Sequence, residues 1–225
     1  MIACSIVFIL LLMKAGSERM ITISTPPPLY LIIDTQLAGL SHIQIVRRAI
    51  DAGMRTIQLR EKNLPKRAIY NAAISIRDIT IKRNTVFIVN DYVDIALAVN
   101  ADGVHLGQED MPVAEARKIM GKGKLIGIST HSLDQAIKAQ DAGADYIGFG
   151  PIFHTTTKDA GNSKGIPALS QIRKLIDIPI VAIGGITCEN VSKVLNSGAD
   201  AAAIASGILI GDIKVNVKQF MEAIC

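Results

Sequence analysis

The residues of this chain best suited to chemistry are a cationic run and two acidic side chains. Gln58-Leu59-Arg60-Glu61-Lys62 follows a short apolar run, and in an extended chain Gln58, Arg60 and Lys62 fall on one side. An Arg fork beside a Lys point charge suits a diphosphate. The plainer reading is a rim ion pair with Glu61. Asp91 follows Asn90 at the end of the next apolar run, and Asp110 closes the segment His105-Leu106-Gly107-Gln108-Glu109-Asp110 after the run beyond it. Carboxylates at two adjacent strand ends suit Mg2+, which takes one or two of them and completes its shell with phosphate and water. Each also has a plainer reading as a helix N-cap: a helical segment starts at Asp91, and Pro112 suits a first helical turn after Asp110.

Further along, Ser129 could donate to a phosphate oxygen, with Thr130, His131 and Ser132 as helix-capping neighbours. His131 has no partner acid in a recognisable triad order, so a general-base role is not expected of it. Thr155, Thr157 and Lys158 put two hydroxyls and an ammonium on one loop, an arrangement fit for an anion unless the loop is merely polar. Gly184-Gly185 and Ala205-Ser206-Gly207 are small enough for backbone N–H groups to approach a phosphate. Two anion sites and a Mg2+ site result, with no nucleophilic triad, zinc cluster or Schiff-base Lys. That set favours ionising a diphosphate leaving group over hydrolysis.

Positioning these residues falls to a regular alternation of elements from Pro26 onward. Strand-like runs lie at Leu29–Ile33, Thr56–Arg60, Val86–Asn90, Gly103–Leu106, Leu125–Ser129, Tyr146–Gly150, Ile180–Ile183 and Ala201–Ala205. They are near-continuously aliphatic, as parallel strands buried on both faces are. Helical spacing fills His42–Ala52, Pro65–Lys82, Pro112–Met120, Leu133–Ala142 and Cys188–Asn196. The expected fold is α/β, a single (β/α)8 barrel of the TIM type, with its chemistry at the carboxyl ends of the strands. A doubly wound sheet is the alternative, but no G-x-G-x-x-G follows the first strand. An internal echo supports the barrel: Asp51-Ala-Gly, Asn100-Ala-Asp-Gly, Asp141-Ala-Gly-Ala-Asp and Asn196-Ser-Gly-Ala-Asp precede the even-numbered strands, each Gly reading as a left-handed helix cap. The irregular stretch from Pro151 to Pro167 reads as a lid.

Composition narrows the class. The chain has 225 residues, 49% hydrophobic and 20% charged, with net charge +4. Aromatics are 4%, Trp is absent and the cations are scattered, which argues against a nucleic-acid partner. Cys4, Cys188 and Cys225 have neither disulfide nor metal-ligand spacing, so a cytoplasmic location is expected. Ile2–Met13 is almost wholly apolar, but about 12 residues fall short of the roughly 18–20 that span a bilayer. It has no basic segment ahead of it. Residues 1–25 are therefore read as an extension outside a catalytic domain of residues 26–225, with Met13 and Met20 as alternative starts. A membrane-associating leader is the rival, and a homo-oligomer is left open.

In this order, QLREK, VND, ADGVHLGQED, IGIST, YIGFGPIF followed by TTTK, AIGGI and GADAAAIASGI resemble the thiamine phosphate synthase family, from Pro28 to about Ile210. The resemblance implies a transferase of thiamine biosynthesis that joins an aminopyrimidine diphosphate to a thiazole phosphate with Mg2+. Gln58, Arg60, Lys62, Asn90, Ser129 and Lys158 would hold the pyrimidine diphosphate, and Leu59 and Glu61 belong to the same contacting segment. Arg60, Lys62, Lys158 and Ser129 would act in catalysis, and Asp91 and Asp110 would bind the metal. Thr155, Thr156, Thr157, Gly185, Ala205 and Ser206 would hold the thiazole phosphate. The implied chemistry is dissociative: diphosphate leaves, and the thiazole nitrogen captures the pyrimidine-methyl cation. His154 stands where the family commonly has Pro, and Ala205 where it has a larger aliphatic. A thiazole tautomerase of the same family and a non-catalytic sensor of phosphorylated thiamine precursors are the alternatives.

Overall fold

A computed structural model describes residues 28–155 and 162–224. Residues 1–25 and the loop residues Thr156, Thr157 and Lys158 lie outside them, as do Cys4 and Cys225. Eight parallel strands close into a barrel in sequence order: β1 (Leu29–Ile33), β2 (Thr56–Leu59), β3 (Val86–Asn90), β4 (Gly103–Leu106), β5 (Leu125–Thr130), β6 (Tyr146–Phe149), β7 (Ile180–Ile183) and β8 (Ala201–Ile204). β8 pairs with β1, Tyr30 opposite Ala203. Arg60, Gly150 and Ala205 sit one residue past their strands, which puts them on the rim.

The helices are α1 (Thr35–Ala38), α2 (His42–Asp51), α3 (Lys66–Lys82), α4 (Val93–Ala98), α5 (Val113–Met120), α6 (Leu133–Asp141), α7 (Gly165–Arg173), α8 (Val191–Asn196), α9 (Ser206–Leu209) and α10 (Ile213–Ala223). Those expected from periodicity appear within a residue or two at each end, except α8, which starts three residues late at Val191. α7 begins at Gly165, inside the stretch read as irregular. None of the described helices is long and apolar enough to cross a membrane.

Alternation along the strands makes two cores. Outward side chains such as Leu31, Leu59, Val89 and Phe149 pack under the helices. Inward ones, Tyr30, Ile32, Ile88, Leu125, Tyr146, Val181, Ala201 and Ala203, fill the barrel. Small residues make room for large ones: a Cβ on Gly127 would lie 2.0 Å from the Tyr146 ring.

The sequence echo resolves into a threefold device at the end of the barrel away from the rim. Asp102, Asp145 and Asp200, just before β4, β6 and β8, accept from the backbone N–H of Phe87, Ile126 and Ile180 on the preceding strands, at 2.8 Å each. Each carboxylate also pairs with an Arg of a helix: Arg77 at 2.9 Å, Arg117, and Arg173 at 2.9 Å. The caps are as expected at Gly53, Gly143 and Gly198, with φ of +111°, +83° and +109°. Before β4 the expectation fails: Asn100 takes the left-handed turn at φ +52°, and Gly103 is a strand residue. Removing one partner of a buried pair strands the other, at a cost of about 3–5 kcal/mol. Asp200→Ala should lower the urea midpoint by that much stability and leave the turnover of the folded fraction unchanged.

Candidate active site

At the end of β2 the alternation holds. Gln58, Arg60 and Lys62 all line an open cavity at the carboxyl ends of the strands. Leu59 and Glu61 face the other way. Leu59 is buried in the outer core, and the Glu61 carboxylate accepts from Thr35 Oγ1 at 3.0 Å and meets His42 Nε2 at 2.7 Å. Neither lines the cavity, so any contact with a ligand there would fall to their backbone. Glu61 is committed to α1 and α2, and this removes the rim ion pair as an explanation for Arg60 and Lys62.

Lys62 instead reaches the end of β3, donating from Nζ to Asp91 Oδ2 at 2.5 Å. Asp91 takes a left-handed backbone, φ +64°, which Asp tolerates better than most residues. It does not cap a helix, since α4 has Tyr92 at its N-cap with no side-chain cap bond. Nor does Asp110 cap α5, whose N-cap is Pro112. Asp110 Oδ2 accepts from Gly107 N at 2.6 Å and closes its own turn. Both carboxylates line the cavity. The Asp91 carboxyl is raised above its ordinary range, first by burial, with Asp110 adding to the rise and Lys62 opposing it. A neighbouring carboxylate that disfavours the charge on Asp91 makes the pair a natural seat for a divalent cation. Among the described residues no cluster of three or more His, Cys, Asp or Glu surrounds them. A pair is the usual complement for Mg2+ that also binds substrate phosphates.

The cavity floor is a hydrogen-bonded chain that the sequence reading does not name. Gln58 Nε2 donates to Tyr30 Oη at 2.8 Å, and Tyr30 Oη lies 3.0 Å from Tyr146 Oη. His105 spans Tyr146 Oη, 3.1 Å from Nδ1, and Ser129 Oγ, 3.0 Å from Nε2. Burial pushes both phenols well above the usual range, so both are neutral. The signal was available: Tyr30, His105 and Tyr146 are inward positions of otherwise aliphatic strands. His131 lies 2.7 Å from the Gly150 carbonyl through Nδ1 and acts as a staple.

On the opposite wall Thr155, Gly184, Gly185, Ala205, Ser206 and Gly207 line the cavity. Gly185 has φ +63°, and a Cβ there would lie 2.4 Å from the His154 carbonyl oxygen. Both the backbone conformation and the space demand Gly. Gly185→Ala should displace this wall and raise KM for the ligand bound there about tenfold, for roughly 1–3 kcal/mol of strain, with KM for a ligand on the Arg60 side little changed; steady-state kinetics with each ligand varied in turn would check this.

A sequence model described as thiamine monophosphate synthase matches residues 29–208 of this chain. The chain belongs to the thiamine monophosphate synthase family. Among curated members, the thiamine-phosphate synthase of Clostridium novyi is 48% identical over 186 residues, 82% of this chain and 91% of the relative. That of Methanoculleus marisnigri is 44% identical over 199 residues, 87% of this chain and 94% of the relative. A solved thiamine phosphate pyrophosphorylase from Pyrococcus furiosus superposes with a TM-score of 0.80 at 38% identity, covering 87% of this chain and 94% of that one. The span matched to the thiamine monophosphate synthase family contains every strand and every cavity residue from Tyr30 to Gly207.

Proposed function

We propose that this chain is a Mg2+-dependent thiamine phosphate synthase, joining 4-amino-2-methyl-5-pyrimidinylmethyl diphosphate to a thiazole phosphate and releasing diphosphate. The observation that carries this reading is the convergence of Asp91 and Asp110 on one cavity, with Arg60 and Lys62 on the same rim. Asp91 and Asp110 would hold Mg2+, which when bound supplies positive charge to the phosphate oxygens of the leaving group. Arg60, Lys62 and Lys158 would grip the diphosphate and stabilise charge as the C–O bond to the pyrimidine methylene breaks. Gln58, Asn90 and Ser129 would hold the pyrimidine. Thr155, Thr156, Thr157, Gly185, Ala205 and Ser206 would place the thiazole phosphate so that its ring nitrogen forms the new C–N bond. Ile32, Val181, Ile183, Ile186 and Ala203 give the cavity an apolar side that would keep water from capturing the cation.

The relatives' names are those of synthases, which favours this reading over the tautomerase and the sensor. Residues 1–25 would lie outside the catalytic domain. A cytosolic location accompanies the reading. The deciding assay supplies both substrates with and without Mg2+. Metal-dependent thiamine phosphate and stoichiometric diphosphate are expected. Isomerised thiazole phosphate alone, or binding without turnover, would replace this proposal with one of its rivals.

A further inference from the structure

The direction of the proton donors along the cavity floor follows from counting them. Gln58 Nε2 donates to Tyr30, so the Tyr30 hydroxyl has accepted and must give its single proton elsewhere. Its other partner is Tyr146 Oη at 3.0 Å. Tyr146, having accepted, gives its own proton to His105 Nδ1 at 3.1 Å. A neutral imidazole that accepts at Nδ1 carries its proton on Nε2, and this one donates to Ser129 Oγ at 3.0 Å. The reverse order would leave Tyr30 accepting twice with its proton aimed at nothing, in a residue 3% exposed. A charged imidazole fails for the same reason one step along, at Tyr146. Ser129 thus accepts from below, and its own proton is left for the cavity it lines. At the other end, one N–H of Gln58 is committed to Tyr30.

We infer that His105 and Tyr146 are positioning residues that polarise the cavity floor, so that Ser129 presents its hydroxyl proton to the bound pyrimidine diphosphate. This rests on the function proposed above. It concerns side chains that act through Ser129: Tyr146 lies beneath the cavity, and His105, which reaches its lining, hands its Nε2 proton to Ser129. The chain crosses five strands, β2, β1, β6, β4 and β5, so the pose of Ser129 depends on groups far from it in sequence.

A double-mutant cycle tests it, read both as kcat/KM and as calorimetric affinity for the pyrimidine diphosphate. Tyr146→Phe keeps the ring and removes the link. It should lower kcat/KM for the pyrimidine diphosphate about tenfold and leave KM for the thiazole phosphate unchanged. In a Ser129→Ala background the same change should cost less than about twofold, because contacts acting through one group are not additive. Equal losses in both backgrounds would overturn the inference. If Tyr146→Phe does not fold, His105→Gln against His105→Ala decides. Gln can still accept and donate, so it should retain more activity than Ala, and only when Ser129 is present. Equal activities would again refute the relay. A wild type that binds the pyrimidine diphosphate without forming product would sink the proposed function, while the affinity cycle would still decide the relay. A wild type that does not bind it would sink both.

Discussion

Asp91→Ala should lower kcat roughly 100- to 1,000-fold at saturating Mg2+, since a divalent ion on a leaving group is worth several kcal/mol. Affinity for the thiazole phosphate should stay within about twofold, because Asp91 lies across the cavity from Gly185 and Ser206 and the loss is confined to interactions made as charge develops. Asp91→Asn separates a metal role from a structural one. The Asp91 carboxyl is raised in the folded protein, by burial and by Asp110, against the pull of Lys62. The folded state therefore binds this proton more readily than the unfolded chain, and the charged form costs stability as pH rises through the raised value. Neutralising it should raise the melting temperature of the Mg2+-free protein at neutral pH. The same variant should lose the further rise that Mg2+ gives the wild type by mass action. The raised carboxyl also means that Mg2+ affinity should decline, on acidification, at a pH above the ordinary carboxylate range. Wild-type turnover in Asp91→Ala, or an undiminished Mg2+ shift in Asp91→Asn, would remove the metal from this site.

The architecture was legible because parallel barrel strands are buried on both faces and are mostly aliphatic, with too few polar residues to be confused with loops. All eight runs were readable as such, from Leu29–Ile33 to Ala201–Ala205, each within a residue of its observed strand. The short helices α1, α4 and α9, of four to six residues, have no room to show a helical period. α10 did show one, with Asp212 capping at the N–H groups of Lys214 and Val215 and Ile213, Val217 and Phe220 buried, so its omission reflects no lack of signal.

The site was legible in part. Period-two alternation grouped Gln58, Arg60 and Lys62, which share the cavity, and sets the side chains of Leu59 and Glu61 on the other side. Nothing in the local sequence distinguishes a cavity-lining Asp91 from a helix cap, because that difference lies in a left-handed φ and in the closure that puts Asp110 on the same cavity. The floor network was hidden for a related reason. Tyr30 and Tyr146 stand 116 positions apart, and only closure of the barrel makes them partners. A polar residue at an inward strand position is the trace such networks leave in sequence. Cys188 is the opposite case: burial pushes its thiol up, away from thiolate reactivity, which fits a packing role.

Arg60→Ala is expected to have the second-largest effect, a loss of roughly 100-fold or more in kcat, and to exceed that of Lys62→Ala. The two cations share a strand end and a cavity but begin from different states. Lys62 already donates to Asp91 at 2.5 Å, so its interaction with a diphosphate is offset by loosening that contact. Among the described residues no hydrogen bond or ion pair engages Arg60, which lines the cavity with its donors uncommitted. A guanidinium with no such contact to loosen can direct its charge-assisted hydrogen bonding to the departing oxygens. Arg60→Lys keeps the charge and loses the fork, so it should recover only part of the deficit, about a tenth of wild-type kcat. Truncating Lys62 also frees Asp91 from its counter-ion, which should tighten Mg2+ and partly compensate. Side-by-side kcat values for the three variants at saturating metal check the ordering, and a Lys62→Ala enzyme slower than Arg60→Ala would show that the Lys62–Asp91 contact, rather than an open guanidinium, governs departure of the diphosphate.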